Sequence, residues 1–162
     1  MDTKLPYGKS YMLLHIPDRL KPVLIRPKFV HPLKNPLLEV KNAIIQSIDN
    51  SINGIKDKVK KVAIAINDQT RPIPNEYLIP PLLSALNNKA IKRGQITFII
   101  ATGTHRELKY NDFRLVLPNN ILKSYRVICH DCDNDSELIY LGKTKLGTPV
   151  LINGVFIESD IK

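Results

Sequence analysis

The sequence predicts an α/β fold: a mainly parallel sheet with helices on both faces, Rossmann-like, and some short antiparallel strands near the C-terminus. Two observations predict it. Three short, almost uninterrupted apolar runs, KKVAIAI (60–66), ITFII (96–100) and YRVICH (125–130), read as strands covered on both faces. Segments with apolar residues at helical spacing precede or separate them, and alternating strands and helices call for a parallel sheet with right-handed crossovers.

Taken in order, KSYMLLHI (9–16) reads as a first strand. Pro17, Pro22 and Pro27 then break the chain into extended pieces, since proline lacks an amide donor and biases its predecessor away from helix. Asn35-Pro36 pairs a cap residue with proline at the first helical position, and Leu37, Val40, Ile44 and Ile48 continue a helix that turn residues 50–54 end. After the strand 60–66, a helix is expected over 75–92, with Leu78, Leu82, Leu83, Leu86 and Ile91 apolar and Pro80-Pro81 kinking it or ending its first turn. A shorter helix is expected around Asp112–Leu117, stopped by Pro118, and 138–154 reads as short strands and turns. The 162 residues are one domain's worth, and we expect a single α/β domain over 1–162.

Lys and Arg number 24 against 15 Asp and Glu, a formal net charge of +9, which favours an anionic partner without choosing its class. No apolar run is long enough to cross a membrane, and MDTKLPYGKS lacks the apolar stretch of a signal peptide, so a cytoplasmic protein is expected. Cys129 and Cys132 form one C-x-x-C around His130-Asp131. A structural zinc would ordinarily need a second ligand pair, which is missing, so no metal site is assigned. The lysines at 56, 58, 60 and 61 and the group Lys89, Lys92 and Arg93 have no interleaved aromatics and read as solvated ends of elements rather than a nucleic-acid footprint. No G-x-G-x-x-G, Walker A or G-x-S-x-G is present.

Two polar segments, NDQTRPIP (67–74) and ATGTHRE (101–107), each follow the carboxyl end of a buried strand, the edge of an open α/β sheet where ligands bind. In the first, Arg71 offers a planar fork of donors suited to a carboxylate or phosphate, Asp68 can orient it or accept from a ligand hydroxyl, and Thr70 lies between them. Pro72 and Pro74 stiffen the loop. A plainer reading is a turn with an internal Asp–Arg pair leading into a helix. In the second, Gly103 lets backbone amides approach a ligand, and a helix starting near Glu107 would favour an anion there. His105 is the natural general acid/base, with Arg106 beside it.

Together, VAIAINDQTRPIP (62–74) and ITFIIATGTHRE (96–107) resemble the N-terminal domain of the nickel-pincer lactate racemase family, with its strand ending in Asp-x-Thr-Arg-Pro-x-Pro and strand ending in Gly-x-His-Arg. His130-Asp131, Leu141-Gly142 and GTPVLIN also fit, and the likeness covers nearly the whole chain, weakest before residue 36. The resemblance implies a racemase or epimerase of small 2-hydroxy acids. His105 matches a family acid/base histidine, and Asp68 and Arg71 match residues lining the cofactor and substrate site. The family's second acid/base histidine, its cofactor-tethering lysine and its remaining nickel-ligating histidine have no counterpart before Lys162. The resemblance therefore implies that the nickel-pincer nucleotide is not bound covalently by this chain. It also implies that the C-terminal catalytic half, in the same protein or a partner chain, is needed for activity. The competing expectations are a non-catalytic anion- or nucleotide-binding module using the same two loops and, less favoured, a basic nucleic-acid-binding domain.

Overall fold

A computed structural model describes residues 1–52, 59–71 and 73–162, with the side chains of 49–52 excepted. Gly54, Lys56, Lys58 and Pro72, used in the sequence reading, lie outside the described residues. The chain forms two compact units, Met1–Pro32 and Leu33–Lys162.

The first unit is a hairpin that the sequence reading half anticipated. β1 (Asp2–Tyr7) pairs antiparallel with β2 (Ser10–His15) around Gly8, whose φ of +58° suits glycine in a two-residue connection. β1, which contains Pro6, lies outside the strand expected over 9–16. Both strands of a two-stranded ribbon are edges, and an edge tolerates a residue without an amide.

In the second unit, α1 (Pro36–Ile52) leads to β3 (Val62–Asn67). α2 (Asn75–Asn88), β4 (Ile96–Ala101), α3 (Asn119–Ser124) and β5 (Arg126–Cys129) follow. The three strands form a parallel sheet in the order β3-β4-β5, with Ile66 opposite Ile100 and Ile100 opposite Cys129. Successive strand side chains point to opposite faces, and Phe98, Ile99 and Ile100 are all buried, so β4 is covered on both sides. Phe98 meets Tyr125 edge-on, the ring centroids 5.6 Å apart. β6 (Leu138–Lys143) and β7 (Pro149–Asn153) form the antiparallel pair expected near the C-terminus, and α4 (Gly154–Ile157) follows.

Three local expectations change. Pro80 and Pro81 lie inside α2, which continues through them; the carbonyls they leave without donors belong to the exposed Glu76 and Tyr77. α2 ends at Asn88 rather than residue 92, because Ala90 turns left-handed at φ +63°. Ile91 N then donates to Leu86 O and Ala90 N to Asn87 O, the paired bonds that close a helix, and Leu86 and Ile91 are both buried. The helix expected around 112–117 is a 3-10 helix, Tyr110–Leu115.

After α4 the chain returns to the start of β3. The Asp160 carboxylate accepts from Lys60 N and Lys61 N at 2.7 and 2.9 Å, Lys61 Nζ reaches Glu158 at 2.8 Å, and Ile161 bridges Val62 in parallel. These donors hold the carboxyls of Asp160 and Glu158 below their ordinary range. No helix among the described residues is long and apolar enough to cross a membrane.

Candidate functional site

The site begins with two neighbouring strands. Because β3 and β4 are adjacent and parallel, the chain leaves both at the same sheet edge, and the loops after Asn67 and Ala101 emerge side by side. Asp68 is the first residue past β3 and is 4% exposed. Its carboxylate closes a turn on its own loop: Oδ1 accepts from Thr70 N at 3.0 Å and from Thr70 Oγ1 at 2.6 Å, while Arg71 N donates to Asp68 O. Asn67 Nδ2 donates to Arg71 O and ties the turn to the end of β3.

The second loop is held from beneath. Thr102 is buried and its hydroxyl donates to His130 O, while His130 N donates to Ile100 O, so β5 anchors the exit from β4. Gly103 takes φ +61°, a conformation a side chain resists, and His105 N closes the turn on Thr102 O. The condition for anion binding at a helix terminus near Glu107 is not met: the chain stays irregular until the 3-10 helix at Tyr110. A helix terminus therefore contributes nothing to anion binding here.

The turn delivers His105 to Asp68. Nδ1 lies 2.7 Å from Asp68 Oδ2 and 3.5 Å from Thr70 Oγ1. The aspartate side chain is 5% exposed and the imidazole 53%, so the carboxylate is embedded and the ring meets solvent. The Thr70 hydroxyl, followed by the His105 ring, holds the Asp68 carboxyl below its ordinary range against the opposing effect of burial. An ionised carboxylate can only accept, so Nδ1 carries the proton in the neutral ring, and Nε2 is left with a lone pair. A carboxylate–imidazole pair of this form orients a proton-transfer group.

The other predicted residues stand around this pair. Arg71 and Arg106 are exposed, and neither forms an ion pair among the described residues. Arg106 lines an open groove of about 510 Å³ with Gln69, Glu107 and Lys109. Cys129 turns inward, where its sulfur accepts from Leu108 N at 3.3 Å and burial raises its thiol. Cys132 is a second free thiol, and no group of three His, Cys, Asp or Glu among the described residues is placed to hold a metal ion. The sequence reading missed Asn75 as a component of the site. It is buried at the start of α2 and donates to Val116 O; an asparagine opening a helix right after the Asp-x-Thr-Arg loop was the available signal.

The family model of the lactate racemase N-terminal domain matches residues 7–162. The chain belongs to that family. A lactate racemase of Thermoanaerobacterium thermosaccharolyticum is 26% identical over 161 residues, covering 98% of this chain and 38% of the relative. A lactate racemase of Lactiplantibacillus plantarum is 28% identical over 131 residues, covering 76% of this chain and 30% of the relative. This chain of the lactate racemase N-terminal domain family thus spans 30–38% of the length of the curated relatives it matches. The solved apoprotein of the T. thermosaccharolyticum lactate racemase superposes with a TM-score of 0.74 at 22% identity, over 99% of this chain and 37% of that one. A solved protein from Thermotoga maritima superposes with a TM-score of 0.57 at 20% identity, over 77% of this chain and 31% of that one. The parallel sheet with its added antiparallel strands is the family's N-terminal fold.

Proposed function

We propose that this domain serves a lactate-type 2-hydroxy-acid racemase or epimerase, with His105 as an acid/base for the substrate hydroxyl. The observation that carries the reading is the 2.7 Å contact between His105 Nδ1 and the embedded Asp68 carboxylate, which leaves Nε2 as the basic nitrogen on an exposed ring. Arg71, next in the chain to Thr70 of the Asp68 turn, is suited to a bidentate grip on the substrate carboxylate. Gly103 leaves open space in front of its backbone, and Thr70 and Arg106 complete the rim.

The nickel-pincer nucleotide that the family resemblance implies would meet Asp68 and Arg71 of this chain as lining groups; among the described residues no set of three His, Cys, Asp or Glu is placed to hold a metal ion directly. The share assigned to this chain is to bind the carboxylate at Arg71 and to move the hydroxyl proton at His105 Nε2. The remainder belongs to a further domain of the same protein or to a partner chain.

The test is an NMR titration of the labelled 162-residue chain with L- and D-lactate. Both enantiomers should perturb Arg71 and His105, and Arg71→Lys should weaken binding several-fold, since an ammonium cannot form the bidentate pair. The chain alone, supplied with the cofactor, should not racemise lactate. Perturbation by inorganic phosphate but by neither lactate would replace this reading with the anion-binding module.

A further inference from the structure

Beside the Asp68 loop lies a small, partly open cavity of about 70 Å³, lined by Asn67, Asp68, Gln69, Ile73, Asn75 and Val116 among others. Asn75 is 8% exposed. Its side-chain nitrogen donates to Val116 O at 2.9 Å, and a carbonyl can only accept, so the amide is not reversible. Oδ1 is therefore committed to the other side, where it is buried and meets no donor among the described residues. Buried acceptors without a donor are rare in folded proteins, and ordered water is the usual remedy where a polar cavity has room. This cavity exceeds the roughly 10–15 Å³ that one water needs.

Asp68 faces the same cavity and has capacity to spare. A carboxylate offers about four acceptor positions, and three donors reach this one: Thr70 N, Thr70 Oγ1 and His105 Nδ1. Water carries two protons to give. We propose that the cavity holds an ordered water donating to Asn75 Oδ1 and to the Asp68 carboxylate, which makes Asn75 a positioning residue for the Asp68–His105 pair. The water completes the donor set that keeps Asp68 ionised, and it ties the first turn of α2 to the loop that carries the acid/base pair. Among the described residues, Asp68 is the only titratable group lining the cavity, and His105 is the only titratable group bonded to it.

The inference deepens the function proposed above and rests on that reading only for its consequence. The water can be present while lactate fails to bind, or absent while lactate binds. The first measurement is a crystal structure of the 162-residue chain at a resolution that reveals waters. Density within about 2.6–3.2 Å of both Asn75 Oδ1 and an Asp68 carboxylate oxygen is expected. An empty cavity, or a protein donor turned onto Asn75 Oδ1, overturns the proposal. The second is a carboxylate carbon NMR titration of Asp68 in Asn75→Leu and Asn75→Ser. Leucine removes the water's anchor and should raise the Asp68 midpoint by about half a unit or more, whereas serine keeps an acceptor and should stay near the parent chain. A folded Asn75→Leu with an unmoved midpoint removes the positioning role; a purely structural asparagine would lower stability in both variants without separating their titrations.

Discussion

His105 and Asp68 stand 37 positions apart in the chain, yet the imidazole Nδ1 lies 2.7 Å from the aspartate Oδ2. The separation is one parallel crossover, from the end of β3 through α2 to the end of β4. The parallel register of these strands, Asn67 opposite Ala101, brings Asp68 level with Thr102, and the turn closed by His105 N on Thr102 O carries the imidazole back to the carboxylate. The pair is thus a joint product of the topology and the Gly103 turn.

Replacing the carboxylate should change which ring nitrogen is protonated. In the parent chain at neutral pH, nitrogen NMR should report the Nδ1–H tautomer of neutral His105. Asp68→Asn can turn its amide toward Nδ1 and donate, which favours the Nε2–H form. The same variant should lose the proton-accepting capacity assigned to Nε2, and a parent-like tautomer in Asp68→Asn would contradict that role.

Thr70→Val should release Asp68 toward the ordinary carboxylate range, because the threonine hydroxyl is the largest influence holding it down. An upward move of the Asp68 midpoint by carboxylate carbon NMR is the expected result. The backbone bond from Thr70 N survives the substitution, so the move should be partial.

Acid should loosen the clasp between the C-terminal segment and β3. Asp160 and Glu158 have folded-state pKa values depressed below their unfolded ones by the Lys60 and Lys61 amides and the Lys61 ammonium. Each contributes stability that is present above its unfolded pKa and is lost as pH falls through the folded one. Denaturant midpoints should therefore hold between pH 7 and about pH 5 and fall below about pH 4. Asp160→Asn should flatten part of that fall, and an undiminished acid slope in this variant would remove Asp160 from the account.

Ala90→Gly should stabilise the protein by about 1 kcal/mol, since glycine takes the left-handed conformation without the penalty that alanine bears. Chemical denaturation at neutral pH reads the gain. Gly103→Ala should be the mirror case. Space is open around its Cβ position, so the cost is one of backbone strain alone, again about 1 kcal/mol.

Phe98→Ala should cost about 3–5 kcal/mol, the range for emptying a packed aromatic site. Phe98 has no exposed surface and meets Tyr125 edge-on, so little around it can collapse into the space. Equilibrium unfolding in urea measures the loss.

The sequence by itself determined the parallel three-stranded sheet, the strands that bury both faces, and the two loops at its carboxyl edge. These follow from local apolar runs, helical spacing and turn chemistry, which a single chain segment carries within itself. It also singled out Asp68, Thr70, Arg71, Gly103, His105 and Arg106 by residue type and placement. Tertiary structure decided what passes between segments. That Asp68 bonds His105 and leaves Arg71 free of an ion pair among the described residues depends on loop geometry across two strands. That no helix starts at Glu107, that α2 ends at Asn88 because Ala90 turns left-handed, and that Asn75 is buried with an unmet acceptor each turn on contacts between residues distant in sequence or on a single backbone angle. Residue order and spacing alone could not supply these, because a buried polar group finds its partner in space, across the sheet and between its connecting segments.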